Sequence, residues 1–229
     1  MLYIICLLAC FYLLNGLFYF IGIVRLLKRS QHKINISNDN TPFVTIILSA
    51  RNEADSIGKC LECLVNQTYP SSRYEIIPVN DASEDQTMEI INNYMSENEK
   101  IKPININPGE RHKQGKINAI DKGILNAKGE IIITTDADTW METEWISKIV
   151  GSFNVSTGFV LGITLDQMSN NPVHAFHALD SIGMCVIGTA LAEMNNPITC
   201  RGTNIAFRKD AYLQVREKVI LLSATLGNR

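Results

Sequence analysis

From residue 42 onward, short apolar runs alternate with segments of helical periodicity, and this alternation constrains the fold more than any other feature. The apolar runs predict strands at residues 43–48, 74–79, 101–106, 130–135 and 158–164. The periodic segments predict helices at residues 54–66, 85–94, 116–126 and 142–153. Because parallel strands need long crossover connections, this order predicts an α/β fold with a mostly parallel sheet and helices on both faces.

The amino-terminal segment is apolar almost without interruption from residue 2 to residue 24. A helix needs about 20 such residues to cross a bilayer. The run is too long for the core of a signal peptide and lacks a positively charged start. It therefore predicts one retained transmembrane helix over residues 1–25. The alternative, a buried core helix, is less favoured.

Basic residues follow this segment at Arg25, Lys28, Arg29 and Lys33. Because basic flanks tend to stay in the cytoplasm, we expect an external amino terminus and a cytoplasmic remainder. In a bacterium this anchor would lie in the inner cell membrane. The chain is then divided into a basic and polar linker over residues 26–41, one domain over residues 42–212 and a tail over residues 213–229.

Charge and cysteine content exclude some classes of function. The net charge of the 229 residues is −2, so no nucleic-acid-binding surface is indicated. Cys60 and Cys63 have metal-type spacing, but no second pair follows at zinc-ribbon distance. We interpret both as small apolar residues on a helix face.

Two carboxylates, Asp136 and Asp138, directly follow the strand predicted at residues 130–135. Oxygen ligands of this kind suit Mg²⁺ or Mn²⁺, which usually bridge to substrate phosphates. The same spacing is also common in surface loops. Polar residues follow the first two predicted strands as well, at Asn52, Glu53 and Asp81. Ligands of parallel sheets bind beyond the carboxyl ends of the strands, where all these residues fall.

Dinucleotide binding is the obvious alternative function for such a sheet. It needs a glycine-rich turn after the first strand, but residues 49–53 contain no glycine. No Walker-type phosphate loop occurs either. Phosphates would therefore be held mainly by a metal ion and by side chains.

Several segments in order resemble the family 2 glycosyltransferases, inverting enzymes with the Rossmann-like GT-A fold. They are residues 44–53, 75–87, 115–123 and 200–209, together with the Asp136/Asp138 pair. The resemblance covers residues 42–212. The most similar members are membrane-anchored enzymes that build polysaccharides or glycolipids.

The resemblance implies a role for each candidate residue on the donor side. Asp81 would recognise the uracil edge, while Asn52 and Glu53 would lie over the nucleoside. Lys116 would lie near the base and the phosphates. Each residue also has a purely structural alternative. Asp81 could simply end its strand, the loop with Asn52 and Glu53 could be a solvated turn, and Lys116 could be a solvated lysine on a helix.

For the metal, the resemblance implies Asp138 as the main ligand of Mg²⁺ or Mn²⁺. Asp136 would contact the ribose or metal-bound water. Asn80 stands where many relatives have a second aspartate, and Asp81 is expected to suffice.

The general base of the family, an acidic pair beyond the last matching segment, has no counterpart here. We therefore assign no catalytic residue and expect a truncation or frameshift near Val215. The predicted function is inverting transfer of a sugar from a nucleotide sugar, UDP-linked, to a saccharide or lipid acceptor. One alternative is a fragment that binds UDP and metal without turnover. Another, a sugar-nucleotide pyrophosphorylase, is disfavoured because it would need a glycine-rich first loop.

Residues 172–194 predict a further helix that is apolar over a broad face. An ordinary core-facing helix and a helix near the bilayer or the acceptor both remain open. His174 and His177 could share a face, but no carboxylate or cysteine nearby makes them metal ligands.

Overall fold

The computed structural model describes residues 2–30, 41–110, 115–165, 171–194, 196 and 202–226. The chain forms two compact units. A helical unit contains Met1–Ile34 and Ile163–Arg201, and a sheet unit contains Asn35–Gly162 and Gly202–Arg229. This grouping differs from the predicted division, which placed residues 163–201 inside one domain over residues 42–212.

The sheet unit is built on a six-stranded sheet with strand order β3-β2-β1-β4-β6-β5. Strands β1 to β4 are parallel to one another, and β6 runs antiparallel to both β4 and β5. The predicted α/β fold with a mostly parallel sheet is therefore confirmed. The strands are β1 Val44–Ala50, β2 Tyr74–Asp81, β3 Ile104–Ile106, β4 Ile131–Asp136, β5 Phe159–Leu161 and β6 Ile205–Arg208.

Helices cover both faces of this sheet, because alternate strand residues point to opposite sides. Ile46 and Ile133 pack in a core with α2, α3 and α5. Ile47 and Ile132 pack in a second core with α4, and Tyr212 of α7 packs against it. The helices are α2 Ile57–Val65, α3 Thr87–Glu97, α4 Lys116–Asn126, α5 Trp145–Val150 and α7 Lys209–Leu226.

Several element bounds differ from prediction for local reasons. Helix α2 begins later because the Glu53 carbonyl already accepts hydrogen bonds in a turn from the backbone N–H groups of Ser56 and Ile57. Strand β3 contains only the last three residues of the strand predicted at residues 101–106. Ile101 forms an isolated bridge to Ile76. Helix α5 and strand β5 are also shorter than predicted.

The carboxyl-terminal segment forms a helix, which the sequence interpretation missed. Helix α7 begins at Lys209, so the predicted boundary at residue 212 lies within it. Asp121 of α4 accepts hydrogen bonds from Tyr212 at 2.9 Å and from Arg216 at 2.6 and 2.9 Å. The start of α7, as far as Arg216, is therefore attached to α4 of the sheet unit.

The helical unit contains α1 Leu2–Ser30 and α6 Pro172–Glu193. Helix α1 continues five residues beyond the predicted anchor end at residue 25, into the predicted linker. The rest of that linker, residues 31–40, lies outside the described residues. Both helices are long and apolar enough to cross a membrane, by length and composition. Most of α6 is not buried, which disfavours an ordinary core helix.

Candidate functional site

The candidate residues gather at the carboxyl edge of the parallel strands. Ser49 of β1 is in register with Asp136 of β4, and Ala50 is in register with Asn80 of β2. Strands β2 and β4 flank β1, so their axes are separated by about 10 Å. Asp81 and Asp136 thus lie at the same edge, on either side of β1.

Asp136 is the centre of a polar cluster at the end of β4. Lys116 Nζ lies 2.5 Å from one of its carboxylate oxygens. The Thr203 hydroxyl donates a hydrogen bond to the other. Lys116 is the first residue of α4, and Thr203 precedes β6. The structure therefore brings the predicted pair Lys116 and Asp136 together and adds Thr203 to them.

Asp138 is exposed, in contrast to Asp136. Ala137 between them is buried in the core, and the Thr139 N–H donates to the Asp136 carbonyl in a turn. These contacts fix the backbone that carries Asp138. Because both oxygens of Asp136 have protein partners, Asp138 is the carboxylate of the pair that faces solvent for an added ligand.

The cluster is suited to an ion such as Mg²⁺, but the protein side chains alone would not supply all its ligands. Within the described ranges, no group of three or more His, Cys, Asp or Glu side chains could hold a metal. Mg²⁺ usually keeps several waters and binds one or two carboxylates plus substrate phosphates. Asp138 has the chemistry for the carboxylate. The predicted ligand role of Asp136 competes with its contacts to Lys116 and Thr203.

Asn52 joins the loop after β1 to the loop after β2. Its backbone adopts a φ of 54°, a conformation that asparagine tolerates better than most residues. Its N–H donates to the Ser83 hydroxyl at 3.0 Å, and its side-chain oxygen accepts from the Glu84 N–H at 2.8 Å. These bonds give Asn52 a structural task, and its predicted place over a nucleoside stays a prediction.

Glu53 makes similar contacts next to it. Its N–H donates to the Thr87 hydroxyl at 2.8 Å, and its carboxylate accepts from the Ser56 hydroxyl at 2.7 Å. Asp85 accepts from the Ala54 N–H and from Thr87. The hydrogen bond from the Thr87 hydroxyl lowers the pKa of Asp85. The loop is thus rigidly tied to the start of α3.

Asp81 ends β2 and is only 3% exposed. It is in register with Ile106 of β3. Asn80 beside it donates a hydrogen bond to the Asn105 side chain at 2.7 Å. The structure therefore places Asp81, buried, at the carboxyl end of β2, and its recognition of a base stays a prediction.

Sequence reasoning assigned no role to Thr203 and Asn204. Asn204 accepts a hydrogen bond from the Trp145 indole N–H at 3.0 Å, and its own N–H donates to the Thr134 carbonyl. Both residues lie in the matched segment at residues 200–209. The antiparallel pairing of β6 with β4 brings them to the end of β4.

Cys60 lies beneath this cluster, with its sulfur 3.6 Å from the Asp136 carbonyl oxygen. The residue is fully buried, and burial raises the pKa of its thiol. A buried neutral thiol is a poor nucleophile and metal ligand. This agrees with its interpretation as a small apolar residue.

Comparison with known proteins decides the family. The model of "Glycosyl transferase family 2" matches residues 45–215. The chain belongs to glycosyl transferase family 2. The match begins in β1 of this family 2 domain, includes α6 and ends within α7.

Curated relatives of the family 2 domain are longer proteins. Glycosyltransferase AglE of Haloferax volcanii is 27% identical over 74% of this chain and 53% of its own length. The probable glycosyltransferase YdaM of Bacillus subtilis is 31% identical over 61% of this chain and 31% of its own. A beta-monoglucosyldiacylglycerol synthase of Trichormus variabilis is 30% identical over 55% and 26%. The matched part of the chain thus corresponds to about half of these relatives or less.

A solved structure supports the fold. The mannosyltransferase PcManGT from Pyrobaculum calidifontis, solved in complex with GDP-Man and Mn²⁺, superposes with a TM-score of 0.64. It is 21% identical, and the match covers 92% of this chain and 56% of that protein. The family 2 domain therefore has the predicted GT-A fold.

Proposed function

We propose that this chain binds the donor in a membrane-anchored enzyme that transfers a sugar from a UDP-sugar to an acceptor. The transfer would invert the anomeric configuration, as the family resemblance implies. The observation that carries the proposal is the cluster of Lys116, Asp136, Thr203 and Asp138 at the carboxyl edge of a family 2 sheet.

The cluster suits a diphosphate that must leave with its negative charge. Lys116 stands at the first position of α4, where the helix dipole also favours anions. Asp138 would hold Mg²⁺ or Mn²⁺, and a bound ion would neutralise the departing diphosphate. Asp136 keeps the Lys116 ammonium at the end of β4, and Thr203 keeps Asp136 in place.

The nucleoside would lie across β1 towards β2. A carboxylate accepts hydrogen bonds, so Asp81 would pair with the ring N–H of uracil. The loop containing Asn52 and Glu53 is held by Ser83, Glu84 and Thr87 and would form the wall of that site. Its rigidity favours a preformed pocket for the base.

Inverting transfer needs a general base for the acceptor hydroxyl, and none of the residues assigned above supplies it. Two relatives carry names that include a lipid. One is the beta-monoglucosyldiacylglycerol synthase, and the other is a Methanococcus voltae glucuronosyltransferase named for a dolichyl-linked glucosaminyl phosphate, which is 32% identical over 48% of this chain. A saccharide or lipid acceptor at the membrane held by α1 is consistent with both.

Product analysis tests the proposal. The detergent-purified chain is incubated with Mn²⁺ and UDP-glucose or UDP-N-acetylglucosamine, and released nucleotide is separated by chromatography. We expect UDP, at least by slow transfer to water, and its loss in Asp138→Asn. No UDP from the UDP-sugars, but pyrophosphate released together with a UDP-sugar in a parallel incubation with UTP and a sugar 1-phosphate, would instead identify a pyrophosphorylase. Binding of UDP without any release would identify a donor-binding fragment without turnover.

A further inference from the structure

The segment before β6 carries Thr203, whose hydroxyl donates a hydrogen bond to the Asp136 carboxylate. This contact needs the backbone on both sides of Thr203 to be held in place. On one side, the Thr134 hydroxyl donates to the Gly202 carbonyl at 3.4 Å. On the other side lies Asn204, so the conformation of Asn204 decides where the Thr203 hydroxyl points.

Asn204 adopts a backbone conformation that few residues adopt. Its φ is 61°, in the left-handed region that asparagine tolerates better than most residues. Its N–H donates to the Thr134 carbonyl at 3.0 Å, and its carbonyl accepts from the Gly162 N–H at 2.8 Å. The two peptide groups that flank the Asn204 Cα are therefore attached to β4 and to the residue that follows β5.

The side chain of Asn204 is fixed as well. Trp145 Nε1 donates to its carboxamide oxygen at 3.0 Å. A Cβ added at Gly162 would lie 2.3 Å from the same oxygen, so a glycine leaves the room that the carboxamide occupies. Gly162 does not have a left-handed backbone, so this space is the reason for glycine at that position. The glycine and the indole N–H therefore favour the same conformation of Asn204.

Trp145 is a firmly placed donor. It is the first residue of α5, and its side chain packs against the core that contains α2. The Gln67 carboxamide donates to the Glu142 carbonyl at 2.8 Å and accepts from the Ile146 N–H at 3.1 Å. Because Gln67 is buried and follows α2, these bonds attach the start of α5 to the end of α2.

We infer that Trp145 is a positioning residue for the proposed donor site. Through Asn204 it keeps the Thr203 hydroxyl on the Asp136 carboxylate. Loss of the indole N–H would let the Asn204 carboxamide take up other conformations, and the hydroxyl would contact Asp136 for a smaller fraction of the time. Asp136 would then hold the Lys116 ammonium less firmly where the donor diphosphate is proposed to bind. The inference rests on that proposed donor binding.

Trp145→Phe tests the inference, because it removes the indole N–H and retains an aromatic ring. We expect it to weaken Mn²⁺-dependent binding of UDP by about fivefold, the effect of one hydrogen bond between neutral groups. Binding is measured by calorimetry on the detergent-purified chain. An affinity equal to that of the unchanged chain would overturn the inference. Absence of Mn²⁺-dependent binding by the unchanged chain would overturn the proposed function, and the inference with it.

Ile149→Val separates positioning from a general loss of stability. Ile149 lies one turn after Trp145 in α5 and is buried. Removing one of its methyl groups weakens the core but leaves the hydrogen bond to Asn204 unchanged. We expect the UDP affinity of Ile149→Val to match that of the unchanged chain. A loss as large as that of Trp145→Phe would show that any weakening of this core has the same effect, and it would overturn the inference.

Gly162→Ala disturbs the same contact and leaves Trp145 intact. Its methyl group would displace the Asn204 carboxamide from the indole N–H. We expect a loss of UDP affinity similar to that of Trp145→Phe, about fivefold. This variant also provides the test if Trp145→Phe does not fold. An unchanged affinity would show that the Asn204 side chain is not used to position the site, and it would overturn the inference.

A double-mutant cycle tests the route through Thr203. Residues that act through one another are not additive. In the Thr203→Val chain, Trp145→Phe should therefore cause no further loss, and the double variant should bind UDP about tenfold more weakly than the unchanged chain. Independent effects would multiply to about fiftyfold. A loss of that size would show that Trp145 does not act through Thr203 and would overturn the inference.

Discussion

Thr203 connects the end of β4 to the segment before β6 through one hydrogen bond to Asp136. A hydrogen bond to a charged group contributes about 1.5–3 kcal/mol, which corresponds to at least a tenfold change in an equilibrium constant. Without the hydroxyl, the Asp136 carboxylate would lose a partner and the Lys116 ammonium would be less firmly held. We expect Thr203→Val to weaken Mn²⁺-dependent UDP binding by about tenfold, measured by calorimetry.

The matched control at this position is Thr203→Ser, which retains the hydroxyl. It should bind UDP nearly as well as the unchanged chain. Equal affinities for the valine and serine variants would show that the hydroxyl is not used in donor binding.

At the scale of elements, α4 packs on β1 through Gly123. A Cβ at this position would lie 2.7 Å from Ile47 Cγ2, and Ile47 is fully buried. Overpacking of a core costs about 1–3 kcal/mol, whereas alanine improves helix propensity by about 1 kcal/mol over glycine. We expect the contact to dominate, so that Gly123→Ala lowers the melting temperature of the detergent-purified chain by a few degrees.

Gly58 in α2 provides the control for this substitution. A Cβ there would meet Ile90 at 3.7 Å, an ordinary van der Waals contact. Gly58→Ala should leave the melting temperature unchanged or raise it slightly. A melting temperature for Gly123→Ala at or above that of Gly58→Ala would contradict the packing described here.

The attachment of α7 to α4 depends on Asp121. The hydrogen bond from Arg216 is the main cause that lowers the pKa of the Asp121 carboxyl, with a further contribution from Tyr212. Burial, and then the hydrogen bond to Asp121, raise the pKa of Tyr212 to about 12, so its hydroxyl remains a donor at neutral pH. The pair therefore contributes stability above the unfolded pKa of about 3.9, and this contribution is lost as pH falls through the lower folded pKa.

Asp121→Asn tests this pH dependence. We expect a lower melting temperature at pH 7 and a smaller further decrease between pH 5 and pH 3 than in the unchanged chain. Parallel pH profiles of the two proteins would show that the Asp121 carboxylate does not stabilise the attachment of α7.

Local sequence patterns predicted the elements that bury a regular series of apolar residues. They missed the elements that are specified by pairing with a strand distant in the sequence. Helix α4 has the predicted bounds, because its apolar residues recur on one side. Strand β6 is only four residues long and is specified by its antiparallel pairing with β4. The role of Thr203 could not be predicted for the same reason, since it depends on where β6 begins relative to Asp136.

Helix α7 was missed for a related reason. Its sequence has no clear apolar periodicity, and its attachment uses Tyr212 and Arg216 on a single carboxylate of α4. Polar contacts between distant segments leave little trace in the local sequence. The grouping of α6 with α1 likewise depends on the contact at Gly22, which no periodicity of either segment indicates.

At the scale of the whole molecule, the position of basic residues after α1 predicts its orientation. Arg25 and Lys28 follow the apolar part of the helix and should stay in the cytoplasm. We expect green fluorescent protein fused to the carboxyl terminus to fluoresce in cells and alkaline phosphatase fused there to be inactive. An active alkaline phosphatase fusion, together with a non-fluorescent green fluorescent protein fusion, would contradict the proposed topology.

Donor binding at Asp138 is the central claim, and calorimetric titration of UDP into the detergent-purified chain tests it most directly. The titration is made with and without Mn²⁺, on the unchanged chain, on Asp138→Asn and on the exposed control Asp210→Asn. The account predicts binding that requires Mn²⁺, is lost in Asp138→Asn and is retained in Asp210→Asn. Mn²⁺-dependent binding that is equally strong in Asp138→Asn would contradict it.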